Sequence, residues 1–97
     1  MKQILPENNL VIAIGDVVSF FIHPDNFFVR DPKKPNVDVS IRIYNEYLKE
    51  FPRGVYHIGT ITEIFKNRVD DKIWATIYSI HLGYELSIPK HNILKFF

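Results

Sequence analysis

Four histidines and a few carboxylates are the side chains of this 97-residue chain that could carry chemistry. His23 and Asp25 form an H-x-D pair, whereas His57 and His81 lie far apart in the sequence. Imidazole and carboxylate groups are zinc ligands, but these spacings match no closed zinc site. We interpret residues 23–25 as a turn, and His57 and His81 as half-exposed residues of two separate strands. The sequence therefore predicts no metal site and no cofactor.

The residue types that enzymes use as nucleophiles or acid–base pairs are not arranged for catalysis. The chain has no cysteine, and its serines lack the strand-to-helix elbow that presents an activated hydroxyl. Asp70 and Asp71 are adjacent in a predicted hairpin turn, where carboxylates are usually solvated. The four glycines are dispersed and build no phosphate-binding loop. We therefore expect a protein that is not an enzyme and has no catalytic residues.

Aromatic and basic residues occur together in residues 20–35, FFIHPDNFFVRDPKKP. Large aromatic side chains dominate the energetics of protein interfaces. Aromatics beside cations are also the two components of a single-stranded nucleic-acid site. A third interpretation is structural: the two phenylalanines plug one end of the fold, and the lysines keep a loop solvated. The residues that carry the two binding hypotheses are the same: Phe27, Phe28, Arg30, Lys33 and Lys34.

Length and composition indicate one globular domain over residues 1–97. Hydrophobic residues make up 46% and charged residues 24% of the chain, which is far from a disordered composition. No stretch approaches the ~20 apolar residues of a membrane span, so we expect no membrane contact. The absence of cysteine fits a cytoplasmic location. The net charge of +1 lacks the basic excess that is common in nucleic-acid-binding domains.

Turn signals divide the chain into strands. We place the first strand at residues 17–22, because Gly15-Asp16 precedes it and Pro24, which has no N–H for a ladder, ends it. Residues 27–30 resume an extended structure before a loop that contains two prolines. Three further strands lie within residues 54–67, 72–82 and 84–88, and a short helical turn precedes a final extended piece. The domain thus reads as a first strand in 11–22, an inserted segment in 23–54 and a β-meander in 55–97.

Residues 37–51 fit two patterns. Their apolar residues alternate with polar ones over 37–43, which is typical of a strand. Steps of four, three, four and three also place one stripe on a helix, made of Val37, Ile41, Tyr44, Leu48 and Phe51. We favour a helix over residues 39–50, because Arg42 and Glu46 lie four apart on its polar face and Pro52-Arg53-Gly54 supplies a stop. The strand remains the alternative.

Four strand sequences and one turn carry a family resemblance. The strands are IGDVVSF, HIGTITEIF, IWATIYSI and YELSIP, and the turn is KHNIL, which precedes the last strand. Together they resemble the small Src-homology-like barrels of bacteria and phages, a group that includes Tudor-like and KOW-like domains. The resemblance covers residues 14–22 and 55–97. It implies a mainly β (β-rich α+β) fold, a small barrel of about five strands with an inserted loop and short helix, and it implies no function.

The sequence favours a non-catalytic interaction module that binds a protein partner. Small barrels have little interior for a substrate pocket, so they usually bind through loops and exposed edges. The abundance of lysine, isoleucine, asparagine and phenylalanine is typical of low-GC bacteria and their phages. For a phage or mobile-element product of this size, one concrete role is to modulate or inhibit a host factor. The alternative is a single-stranded nucleic-acid-binding barrel. An unprotected edge strand would also permit a homodimer, so monomer and homodimer both stay open.

Overall fold

One antiparallel sheet of six strands forms the body of the protein in a computed structural model that describes residues 11–30 and 39–96. The order across the sheet is β2-β5-β4-β3-β1-β6, so β1 lies between β3 and β6. The predicted β-rich fold with an inserted helix is confirmed, and the sheet has one strand more than expected. In chain order the strands are β1 (Val17–Ile22), β2 (Phe28–Arg30), β3 (Val55–Lys66), β4 (Ile73–Ser79), β5 (Tyr84–Pro89) and β6 (Ile93–Phe96).

The hydrophobic core lies on one face of this sheet. In β1 the apolar side chains of Val18, Phe20 and Ile22 are buried, as the period of two in a strand requires. Residues of β3, β4, β5 and β6 and Leu48 of the helical segment pack with them. In β4 four consecutive residues, 74–77, are buried, and the Phe28 ring lies against Trp74 on the outer face. On that outer face the Thr76 hydroxyl lies 2.9 Å from the Ser87 hydroxyl of β5.

The inserted segment contains a helix that changes type after one turn. An α-helical turn, α1 (Val39–Ile43), continues as a π-helical turn (Tyr44–Leu48), in which the Lys49 N–H donates to the Tyr44 carbonyl at 2.8 Å. The wider turn places buried residues at steps of four and five: Val39, Ile43 and Leu48. The favoured helix is confirmed. Of its predicted apolar stripe, Leu48 is buried, whereas Ile41, Tyr44 and Phe51 are exposed, because the π-helical turn places Leu48 on one face with Val39 and Ile43. Val37 lies outside the described residues.

The β3–β4 hairpin positions the site described below. It pairs from Lys66 opposite Ile73 to Gly59 opposite Ser79, with a shift in register between Ile61 and Glu63. A Cβ atom at Gly59 would collide with the Tyr78 carbonyl, so glycine permits the close approach of the two strands. We expected this second strand of the hairpin to reach residue 82, but β4 ends at Ser79 and the chain turns. Residues 55–58 of β3 therefore extend beyond the end of β4.

Candidate functional site: an aromatic cleft at the open edge of β3

A concave surface of about 680 Å³ lies where β3 extends beyond β4. We call it the aromatic cleft. Three parts of the chain contribute to it: the helical segment with the loop that follows, the first residues of β3, and the turn after β4. Its lining is mostly apolar and aromatic, and consists of Tyr47, Phe51, Val55, Tyr56, His57, Ile58, Ile80 and His81.

Buried residues next to the cleft fix the backbone so that large apolar side chains of the cleft are exposed to solvent. Leu48 is fully buried and anchors the π-helical turn, which leaves Tyr47 at the cleft. Gly54, at a φ of 106°, starts β3 where a Cβ atom would collide with the Phe21 ring. From there the strand alternates, and Tyr56 is 66% exposed; across the cleft, Ile80 is 67% exposed. Grouped exposed apolar side chains of this size are typical of interaction surfaces.

The backbone of β3 also contributes hydrogen-bonding groups at the cleft. Residues 55–58 pair with β1 on one side, from Val55 opposite Ile22 to Ile58 opposite Ser19. Successive residues of an antiparallel strand direct their N–H and C=O groups to opposite sides, so half of these groups point away from β1. Within residues 11–30 and 39–96, no strand pairs with that second side. Among the described residues, this stretch of β3 is therefore an open sheet edge beside an apolar cleft.

His57 and His81 meet on the wall of the cleft. Their ring centroids lie 5.4 Å apart with an angle of 32° between the ring planes. The ladder between β3 and β4 ends at Gly59 opposite Ser79, and each histidine lies two residues beyond that end. The Phe20 ring lies 6.2 Å from His57 on one side, and the Tyr47 ring lies 6.2 Å from His81. The predicted placement in two separate strands is therefore wrong for His81, which lies in the turn after β4.

The electrostatic state of His57 is set by its surroundings. Burial lowers the pKa of His57 from its usual 6.5, and the charge of His81 lowers it further. Both effects favour the neutral form of the ring. Its Nε2 atom is buried and has no hydrogen-bond partner among the described residues. Such an atom is uncommon in a folded protein and usually has a water molecule, an ion or a ligand as its partner.

The residues predicted to bind a partner lie at a different place in the fold. Phe27 is partly buried against the core. Phe28 is 62% exposed, and its ring centroid lies 5.5 Å from that of Trp74. The backbone of Arg30 pairs with Glu85 in the β2–β5 ladder. Lys33 and Lys34 lie outside the described residues, so the structure brings only Phe27, Phe28 and the Arg30 backbone together.

The other side chains that could carry chemistry, those of His23 and Asp70, accept hydrogen bonds within turns. The Asp25 N–H donates to Nδ1 of His23 at 3.2 Å, as expected for a turn at residues 23–25. Asp70 accepts from the Trp74 indole N–H at 2.8 Å and from the Lys72 N–H at 3.0 Å. Desolvation raises the pKa of Asp70, but these hydrogen bonds, its own backbone N–H and the charge of Lys72 together leave the pKa below its usual 3.8. In the described part of the chain, no three potential metal ligands form a group.

Comparisons with known proteins give no match: no family model, no curated protein and no solved structure is significantly similar to this chain. The description of the cleft therefore depends on its own residues. Among residues 11–30 and 39–96, no helix has the length and apolar character needed to cross a membrane.

Proposed function

We propose that the protein is a non-catalytic interaction module that binds an extended segment of a partner protein at the aromatic cleft. The partner segment would add a strand to the open edge of β3, in the position that β4 leaves after Ser79. The single observation that carries this proposal is the coincidence of the open edge at residues 55–58 with the cleft. An extended peptide is the ligand whose alternating N–H and C=O groups match such an edge.

The aromatic cleft would add side-chain contacts to the main-chain hydrogen bonds of the partner segment. In strand addition the main-chain hydrogen bonds give affinity, while pockets for alternate side chains give specificity. A side chain that points from the added strand towards Tyr47 and Phe51 would meet aromatic rings. The opposite face of the strand would meet Tyr56, Ile58 and Ile80. A partner segment with bulky apolar residues at alternate positions fits this arrangement best.

The Src-homology-like barrel is part of the same proposal. The described sheet ends at β2 and β6, and a barrel requires it to curl until these edges approach. The 3₁₀ turn (Lys90–Asn92) contacts both β1 and β4, the two strands on either side of β3, as a turn inside a curled sheet would. This contact supports a curled sheet. In such small barrels, binding at loops and edges is the usual mode.

A library of short linear peptides displayed on phage provides the test. Selected peptides are synthesised and added to the ¹⁵N-labelled domain, and backbone amide shifts are recorded. We expect the largest shifts at residues 55–58, and at least a tenfold loss of affinity in Ile80→Asp. N-methylation of alternate peptide residues should abolish binding, because it removes the donors that pair with β3.

Phe28→Ala is the matched control for the Ile80→Asp variant. Phe28 is exposed to a similar degree but lies beside Trp74, away from the cleft residues. The control should bind the selected peptides as the natural protein does. Shifts that cluster at residues 27–30, or peptides that tolerate N-methylation at every position, would contradict strand addition at β3.

Single-stranded nucleic acid is the second candidate ligand. The observation that favours it is the exposed Phe28 ring beside Trp74, close to the hairpin turn that carries Lys66 and Arg68. An aromatic ring with nearby cations can stack a base and contact its phosphate. Lys66, however, pairs with Asp71 at 3.1 Å, and Asp70 lies beside Trp74. These carboxylates reduce the positive potential, so we rank this candidate below peptide binding.

Labelled oligonucleotides decide between the two candidates. Binding through phosphates weakens steeply as salt rises from low to physiological concentration, whereas an apolar peptide interface changes less. We expect no mobility shift with single-stranded oligonucleotides even at low salt. A salt-sensitive shift that is lost in Phe28→Ala would instead favour the nucleic-acid function.

A further inference from the structure

The two imidazole rings on the wall of the aromatic cleft have the separation of a ligand pair. His57 comes from β3 and His81 from the turn after β4, and their centroids lie 5.4 Å apart. We propose that His57 and His81 form a two-histidine site for a divalent transition-metal ion such as Zn²⁺, Ni²⁺ or Cu²⁺. The site does not depend on the proposed peptide binding, since both ligands belong to this chain.

The separation of the rings matches two ligands of one metal ion. With metal–nitrogen bonds of about 2.0–2.1 Å and a tetrahedral angle at the metal, two coordinated rings have centres roughly 5 Å apart. The observed separation is close to this value. The His81 side chain lies in a turn and is exposed to solvent, so a metal ion can reach it from the cleft.

One ring nitrogen of His57 has no partner within the described fold. A metal ion binds the lone pair of an unprotonated imidazole nitrogen. The Nε2 atom of His57 is buried and has no hydrogen-bond partner in the described part of the chain. Coordination would give this atom the partner that a buried polar atom requires.

The two imidazole ligands determine which class of metal ion the site would bind. Imidazole suits Zn²⁺, Cu²⁺ and Ni²⁺, whereas Mg²⁺ and Ca²⁺ prefer oxygen ligands. No third histidine or carboxylate joins the pair among the described residues. The remaining coordination positions would therefore open to the cleft, where water or a donor atom from a bound partner can occupy them. With two protein ligands the affinity should be lower than that of a closed four-ligand site.

Isothermal titration of the protein, freed of any histidine tag, with ZnCl₂, NiCl₂, CuCl₂ and MgCl₂ tests the site. We expect one ion per chain for the three transition metals, with Cu²⁺ bound most tightly, and no binding of Mg²⁺. His57→Gln and His81→Gln should each weaken Zn²⁺ binding at least tenfold. His81→Gln is the decisive variant, because His81 is exposed and its replacement leaves the core intact.

His23→Gln and His91→Gln are the matched controls, since they remove the other two histidines of the chain. Both should bind Zn²⁺ as the natural protein does. The ring nitrogens of His57 and His81, observed by ¹H–¹⁵N correlation spectra, should shift with Zn²⁺, while those of His23 and His91 stay in place. Absence of Zn²⁺ binding, or binding that survives in His81→Gln, would overturn the proposal. Neither result bears on peptide binding, which the amide shifts at residues 55–58 report separately.

Discussion

The two ends of the β3–β4 hairpin are built differently. At the turn end, the Trp74 indole is 3% exposed, donates to Asp70 and packs against Phe28. The Asn67 N–H donates to the Lys72 carbonyl at 2.8 Å and closes the turn. At the open end, β4 stops while β3 continues, and the aromatic cleft lies beside the unpaired edge. Among the described residues, polar groups at the turn end are hydrogen-bonded to one another, whereas the outer backbone groups of residues 55–58 at the open end pair with no strand.

This difference separates the residues that stabilise the fold from those available to bind. A buried polar atom without a partner and a group of exposed apolar side chains both reduce stability, and both occur at the open end. Neither helps to hold the hairpin together, because its ladder already runs from Lys66 to Gly59. We therefore expect substitutions at the turn end to change stability and those at the open end to change binding.

The largest expected effect comes from Trp74→Ala. It removes a buried indole together with its hydrogen bond and its contact with Phe28, and should lower the free energy of unfolding by about 3–5 kcal/mol. The matched variant at the open end is Ile80→Ala, whose side chain is mostly exposed, and its effect should stay within about 0.5 kcal/mol. Urea unfolding followed by circular dichroism measures both. Equal losses in the two variants would show that the open end also supports the fold.

The local features of the fold can be predicted from the sequence. The first strand has the predicted bounds, because Gly15 and Pro24 mark its ends chemically. The 3₁₀ turn before the last strand also lies where KHNIL indicated it. By contrast, the buried face of the helix could not be predicted, because its π-helical turn changes the spacing of buried residues. A single α-helical period assigned Ile41 to that face, and the structure exposes it.

The aromatic cleft could not be predicted, because it depends on the pairing of distant strands. His57 and His81 lie at nearly equal distances from the predicted hairpin turn, which is a signal that they face one another. To use that signal, one must know that a bulge lies between Ile61 and Glu63, because it shifts the register by one residue. A shift of one residue moves every side chain to the other face. Sequence patterns do not locate such a bulge.

A smaller effect is expected for Phe28→Ala. Its ring contacts Trp74 but is mostly exposed, so the loss should be about 0.5–1.5 kcal/mol, the usual value of an aromatic pair. In the Trp74→Ala background the same substitution should cost less, because the contact is already absent. A double-mutant cycle by urea unfolding measures the difference. Additive losses would mean that Phe28 contributes nothing through Trp74.

The open end should respond to pH more than the turn end. The pKa of His57 is lower in the folded protein than its usual 6.5, so below that value the unfolded chain binds the additional proton. The free energy of unfolding should therefore fall as the pH is lowered through 6.5, and level off below the folded pKa. His57→Gln should flatten this part of the profile, measured by urea unfolding between neutral and acidic pH. A profile unchanged in His57→Gln would assign the acid sensitivity to another group.

The smallest expected effect is where β3 ends and the turn begins, for Lys66→Gln. The Lys66 ammonium lies 3.1 Å from an Asp71 carboxylate oxygen, but both side chains are largely in solvent. Water screens such a pair, and holding two mobile side chains costs entropy, so the loss should be about 0.2–1 kcal/mol and should shrink in high salt. Urea unfolding at low and high salt measures it. A larger loss that persists in high salt would mean that Lys66 stabilises the turn by packing of its aliphatic chain, and the turn end would then depend on burial even at the end of β3.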